Sequence, residues 1–542
     1  MKYLFLSLIL LIFSACTTRK SVDLIVYNAA VYTVDSAFTK AQSFAIKDGK
    51  FVAIGSSQNI LDQYDAPEII DAAGQPIYPG FYDAHAHYFL LADLLDQVDL
   101  KGTRSYEQVI AKLKLYQQQH PGKAWIIGNG WDQNLWPDQK FPTKELLDQA
   151  FPETPVMLFR VDYHAVVVNS KALEIAQITD TRKVEGGIIA GENNIPNGLL
   201  IDNAFNIVLP FLPEPNEQDR LKLLQVAQDS LFEVGLTSIV DAGLTESQLD
   251  LLKKYYTQNQ LKIRNYAMVS GNPKSIDNYL KSGIFESDRL TIRSFKLMAD
   301  GALGSRGACL LDHYQDAPTR GFLLLSEAEL DQVIQQLAQS NFQVNTHAIG
   351  DSANRILLDI YGKYLNQQAD RRWRIEHAQI IAPSDFYKFK KFQIIPSVQP
   401  THATSDMYWA EERLGKERLK SAYAYKDLLQ AYGKIALGSD FPVEHFNPLF
   451  GFHAAVARQD AQNYPVHGFQ IENALSREEA LKGMTIWAAF ASFEEHKRGS
   501  IEKGKDADFV ILDQDIMRIP TDKLRQVKVV RTVVAGESVF QK

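Results

Sequence analysis

The chain has 542 residues, 46% of them hydrophobic and 23% charged, with a net charge of -8. That composition excludes a disordered or fibrous protein and leaves room for a large core and more than one structural unit. The mild acidity lacks the basic footprint of a nucleic-acid binder and bears on solubility more than on substrate.

The first element is a targeting segment. Met1-Lys2 gives a short positive end, Tyr3 to Phe13 is apolar but too short for a stable anchor, and Ser14-Ala15-Cys16 places small residues before a cysteine. Residues 1–16 read as a signal peptide and resemble a bacterial lipoprotein signal, although Phe13 stands where that pattern more often has Leu. The resemblance implies export to the bacterial cell envelope, on the periplasmic or surface side, with a lipid anchor on Cys16. A plain cleaved signal is the alternative. Cys309 is the only other cysteine, so a lipidated Cys16 leaves no intrachain disulfide.

Short alternating strands fill Val22 to Tyr78, with Asp48-Gly49 as a hairpin signal. ADFVILD and VKVVRTVVAGESVF repeat that style at the other end. The reading is a composite β-sandwich from residues 17–78 and 495–542. Between them, eight apolar runs alternate with helical patterns: PIYPGFYDAH, LTSIVDAG, IRNYAMVSG, IRSFKLMADG, FQVNTHAIG, WRIEHAQI, QIIPSVQPT and KIALGSDFP. Eight β units separated by helices predict an α/β fold, a (β/α)8 TIM-like barrel over 79–494; the residues alone also allow an open parallel sheet. The stretch of about 88–231 is too long for one connection and reads as a large folded insertion after the first barrel strand.

The polar residues at the ends of those runs carry the chemistry. His85 and His87 end the first, Lys296 lies in the fourth, His347 ends the fifth, His377 the sixth and Asp440 the eighth. Each alone has an ordinary reading: a hydrogen-bonded core histidine, a lysine leaning to water, a turn aspartate. Together they meet at the C-terminal rim of a barrel, where active sites lie, and imidazole with carboxylate suits zinc and similar divalent metals. GALGSRG lacks the spacing and context of a dinucleotide loop, and the chain has no G-x-S-x-G elbow.

PGFYDAHAH, FKLMADGALGSRGA, THAIGD, RIEHAQ, VQPTH, LGSDFPV and RGSIEKGKDADFVILD, in that order, resemble the amidohydrolase superfamily, and more closely its branch of N-substituted formamide deformylases and YtcJ-like proteins. The resemblance implies two divalent metals, zinc by default. His85 and His87 would hold one and His347 and His377 the other. Asp440 would bind the first metal and shuttle the proton. Lys296 matches the position of a carboxylated lysine that bridges both metals in related enzymes; one metal beside an unmodified lysine is the alternative. The implied reaction is hydrolysis of a non-peptide C–N bond, in an N-substituted amide or formamide, by metal-activated hydroxide. The same barrel also serves hydrolases of cyclic amides, N-acyl amino acids or esters, and a non-catalytic lipid-anchored binding protein stays open. His402 and His164 are candidates to polarise the substrate carbonyl. Trp131, Trp136, Tyr163 and Trp409 are candidates for an apolar pocket wall, and Arg306 and Asp406 for orienting substrate. The expected partner is a small-molecule amide, with no nucleic acid and with homo-oligomerisation open.

Overall fold

The computed structural model describes residues 19–213, 215–365 and 370–542. The segment read as a signal peptide, with Cys16, lies outside them. Eight strands follow one another round a parallel sheet: β1 (Phe81–Ala86), β2 (Leu236–Leu244), β3 (Arg264–Ser270), β4 (Leu290–Met298), β5 (Gln343–Ala348), β6 (Arg374–His377), β7 (Ile395–Val398) and β8 (Ala436–Leu437). A parallel bridge between Ala86 and Phe441 brings the two ends of the sheet together. This is the barrel that the alternation predicts. Strands β1, β5, β6 and β7 are buried along their whole length, as expected when a parallel sheet is covered on both faces.

The helices between the strands start where the local chemistry asks them to. Ser326 caps Glu327–Ala338 in a reciprocal box with Glu329, and Thr245 caps Glu246–Thr257 with Gln248. Their apolar faces join the main core, through Leu330, Ile334 and Leu337 in one and Leu249 and Leu252 in the other.

The run PIYPGFYDAH divides between two units. Pro76–Pro79 belongs to a sandwich sheet, and the barrel strand begins at Phe81. Gly80 sits at the changeover, where a Cβ would lie 2.3 Å from Thr237 Oγ1, so only glycine fits between them. In the sandwich, a four-stranded sheet from the N-terminal segment faces a six-stranded one. The larger sheet combines both chain ends: Phe509–Leu512 pairs antiparallel with Pro76–Pro79 and leads on to Val529–Val534 and Glu537–Gln541. Val26, Phe44, Phe51, Ile77, Phe509 and Val533 share the core between the sheets.

The insertion has its own six-stranded sheet, formed by strands between Val98 and Asp202 and covered by two apolar clusters. Its strands Val156–Arg160 and Ala165–Val168 form a hairpin whose turn carries Asp162, Tyr163 and His164. Helix Glu217–Glu233 belongs elsewhere. Leu224, Ala227, Leu231 and Phe232 pack in the main core, so the barrel resumes before residue 231.

Candidate metal centre and cavity

The parallel register lines up the strand ends. Ser270 lies opposite Lys296, Met298 opposite His347, and Ala348 opposite His377. His85, Lys296, His347 and His377 therefore reach one rim; His87 directly follows β1, and Asp440 follows Gly438 and Ser439 in the loop after β8. Asp440 N donates to the His85 carbonyl, 2.7 Å, which fastens the Asp440 loop to the first strand. Gly438 makes that approach possible, because a Cβ there would come within 2.5 Å of His85 N.

The contacts are short. His87 Nε2 lies 3.1 Å and His85 Nε2 3.6 Å from Asp440 Oδ1. Lys296 Nζ is 3.1 Å from His85 Nε2. The rings of His85 and His377 have centroids 5.0 Å apart, and those of His347 and His377 4.6 Å. His85, His377 and Asp440 each offer an atom within 4.8 Å of the others'. Two residues of the group carry backbone strain, with φ of +72° at His377 and +60° at Asp440. Such conformations cost about 1–3 kcal/mol each and persist where surrounding structure enforces them.

Supporting residues hold the rings. Glu376 Oε2 contacts His85 Nδ1 at 2.5 Å, and Arg374 Nε binds the other Glu376 oxygen at 2.6 Å. His377 Nδ1 meets Gln399 Oε1 at 2.8 Å, and His87 Nδ1 meets the Ala242 carbonyl at 3.1 Å. Asp83 accepts from His85 N and from both the backbone and the hydroxyl of Ser439. The left-handed backbone at His377 breaks the alternation of β6, so the neighbours Glu376 and His377 both serve the site.

The protonation states suit a metal. Burial, helped by the nearby Lys296 ammonium, lowers His85 to about 4. Burial also holds His347 and His377 well below the ordinary imidazole value and lowers Lys296. Burial pushes the Asp440 carboxyl up, but the hydrogen bond from His87 and the adjoining imidazoles outweigh it and hold it well below the usual range. Neutral imidazoles and an ionised carboxylate are the forms that ligate. His347 Nε2 and His402 Nε2 are buried without a hydrogen-bond partner and line the same cavity. A buried imidazole nitrogen left unpaired is costly unless something fills it. The donor set and these two nitrogens fit a bound divalent ion.

A cavity of about 580 Å³ opens above the cluster, walled by the barrel rim and the insertion. His164, Tyr163, Asp406, Trp409 and His402 line it. His164 Nδ1 is held by Asp202 Oδ1 at 2.7 Å, and Tyr163 donates to Asn129 Oδ1 at 2.6 Å. Two residues expected in the wall, and one expected to orient substrate, are elsewhere. Trp131 and Trp136 are buried in the core of the insertion, where their indole N–H groups donate to Leu158 and Thr103 carbonyls. Arg306 is paired with Asp316 and does not line the cavity. Sequence reasoning missed Glu376, Arg374, Asp83, Ser439, Asp202 and Arg160. Asp83 shares the i, i+2 face with His85, so its signal was present; Arg160 and Asp202 are far from the site in sequence and carry none.

A profile of the amidohydrolase family matches residues 68–540. The chain belongs to the amidohydrolase family. Among its relatives, the putative amidohydrolase YtcJ of Bacillus subtilis is 30% identical over 95% of this chain and 99% of its own. The N-substituted formamide deformylase of Arthrobacter pascens is 27% identical, over 95% of this chain and 97% of its own. An uncharacterised metal-dependent hydrolase from Pyrococcus horikoshii superposes with a TM-score of 0.77 at 28% identity, covering 92% of this chain and 99% of that one. This amidohydrolase is thus a metal-dependent hydrolase by family and fold, with a His/Asp cluster at the C-terminal rim of its barrel.

Proposed function

We propose that this amidohydrolase cleaves the C–N bond of an N-substituted amide or formamide. The observation that carries the reading is the convergence of His85, His87, Lys296, His347, His377 and Asp440 below one cavity, with the His347 and His402 ring nitrogens left unpartnered. The amidohydrolase relatives named above, one of them a formamide deformylase, support the bond type. In this reading His85, His87 and Asp440 would hold one divalent ion, and His347 and His377 a second. Bound there, zinc or a similar ion supplies Lewis acidity that activates water and polarises a carbonyl.

The protein's own groups do the rest. Asp440 takes the proton of the attacking water and delivers it to the leaving nitrogen. His402 presents Nε2 to the carbonyl oxygen, and His164, oriented by Asp202, approaches from the insertion. Glu376 keeps the His85 ring oriented through Nδ1. Burial lowers Lys296, which makes the neutral amine more accessible; that form would add carbon dioxide and release a proton to give a carbamate, a further oxygen donor for the ions. Metal content per chain, measured on protein purified with bicarbonate present, tests the assignment alongside turnover of a panel of formamides and acetamides. About two metals, falling in Lys296→Ala, together with turnover of at least one amide, is the expected result. No metal after reloading, or no cleavage by the loaded enzyme, overturns the reading.

A further inference from the structure

The cavity wall is charged in a way that bears on substrate. Outside the inner cluster, five carboxylates line it, namely Asp132, Asp162, Asp202, Asp406 and Glu444, against a single guanidinium, Arg160. Arg160 is not free to receive a substrate carboxylate. Its Nε donates to Gln133 at 2.9 Å, one terminal nitrogen pairs with Asp132 at 3.0 Å and the other with Asp162. Its charge is already outnumbered by those two partners. Asp202 is engaged by His164.

That leaves Asp406 and Glu444, on the side of the cavity formed by the loops after β7 and β8. Asp406 accepts from the Tyr423 hydroxyl at 2.8 Å, and Glu444 accepts from Ser405 Oγ at 2.7 Å. Both partners are neutral. The ammonium of Lys101, bound to the carbonyls of Pro442 and Val443, and the guanidinium of Arg525 lie outside the cavity lining, near enough to Glu444 to offset part of its charge. The two acids are near enough to affect each other: burial raises the Asp406 carboxyl to about 7, with Glu444 and Asp162 adding to the effect. Acids outnumber cations along this wall, and a low-dielectric cleft with an excess of one sign of charge concentrates the opposite sign.

We propose that this enzyme selects amides whose non-reacting end carries a positive charge, an ammonium or comparable cation seated between Asp406 and Glu444, and that it rejects amides bearing a carboxylate there. The inference rests on the amide-hydrolase reading above and makes N-acyl amino acids the disfavoured class. It predicts a substrate oriented by charge, with the scissile carbonyl over the inner cluster and the cation at the acidic wall.

Three formamides of matched length test it, ending in an ammonium, a methyl and a carboxylate. With the metal-loaded enzyme, kcat/KM should fall in that order, with at least ~10-fold between the ammonium and the carboxylate. Glu444→Gln and Asp406→Asn should bring the ammonium-to-methyl ratio toward one, and Glu444→Asp should restore it, which a merely structural role would not do. Equal use of the three compounds, or a ratio unmoved in both neutral variants, overturns the proposal while leaving the hydrolase reading intact. If the wild type cleaves none of them, the charge preference is read by calorimetry with metal-loaded Asp440→Asn. Tighter binding of the ammonium compound then supports the cation site although the amide reading has failed. No preference, or no binding of any of the three, overturns it.

Discussion

The Asp440 carboxylate lies among the imidazoles: His85, His87, His377 and His402 are all within 4.0 Å of it. Asp440→Asn keeps the shape of the group and removes its basicity. Turnover should fall by roughly 10²–10⁴-fold, the usual worth of a positioned general base, and metal content measured alongside should be largely retained. Retention of wild-type rates would remove the proton shuttle from the mechanism. Glu376 acts at one remove. Burial pushes its carboxyl up, but Arg374 and His85 outweigh this and hold it at about 2. Glu376→Gln weakens the brace on His85 Nδ1, so metal affinity should drop by about 10–100-fold, as for other partners of metal-bound histidines. A competitive chelator titration reads that loss directly, and unchanged affinity would show that His85 needs no brace.

At the scale of elements, the site depends on backbones that meet closely. The loop after β8 lies against β1 because residue 438 has no side chain. Gly438→Ala sets a methyl 2.5 Å from His85 N and 2.9 Å from Asp83 Oδ1. The strand or the loop must shift, and His85 and Asp440 move apart. Metal content should fall while the far-UV circular dichroism stays native, since the change touches neither the sandwich nor the insertion. Full metal occupancy in this variant would mean that the loop has slack. The insertion hairpin contributes in a different way. The pairing of Ala165 with Ile201 sets His164 beside Asp202, and Asp202 N donates to the His164 carbonyl at 2.9 Å. No motif in Val156–Asp202 announces this, because the two residues meet only when the strands are in register.

At the scale of the whole molecule, the C-terminal segment is clamped to the barrel by buried charge. Arg264, the first residue of β3, binds Asp508 through Nε at 2.6 Å and Nη2 at 3.1 Å, and Asp506 lies 3.4 Å away. Burial pushes the Asp508 carboxyl up, but Arg264 outweighs it and leaves it lowered. A depressed carboxyl stabilises the fold above its unfolded value, ~3.9, and the contribution is lost as pH falls through the lowered folded value. Asp508→Ala removes the two short bonds of a buried guanidinium and leaves it Asp506 and Asp288, so it should cost about 3 kcal/mol, the low end for a broken buried pair, in denaturant unfolding at neutral pH. The deficit relative to wild type should shrink below about pH 4, where the wild type begins to lose the same interaction; a constant deficit across that range would point to packing instead. Metal removal acts on the same global quantity. An ion bound only by the folded state at a hundredfold excess over its Kd adds about 2.7 kcal/mol. Dialysis against chelator should therefore lower Tm, and zinc should restore it; no shift would mean that the cluster binds no ion in solution.

The sequence by itself narrowed the fold to a parallel β/α sheet, closed or open, because eight apolar runs at strand length separated by helical patterns have few other ways to bury their surface; the Ala86–Phe441 bridge closes it. The sequence also determined where chemistry would gather, since residues at the ends of parallel strands must share a rim. The tertiary structure alone decided the rest. PIYPGFYDAH looks continuous, and only contact with Thr237 at Gly80 divides it between sandwich and barrel. Trp131 and Trp136 resemble pocket aromatics in composition, yet the insertion uses them to close its own core. Arg306 resembles a substrate ligand until Asp316 takes it. Glu376, Arg160, Asp202 and Glu444 act through neighbours distant in sequence, and such pairings are set by register and packing, which local pattern does not encode.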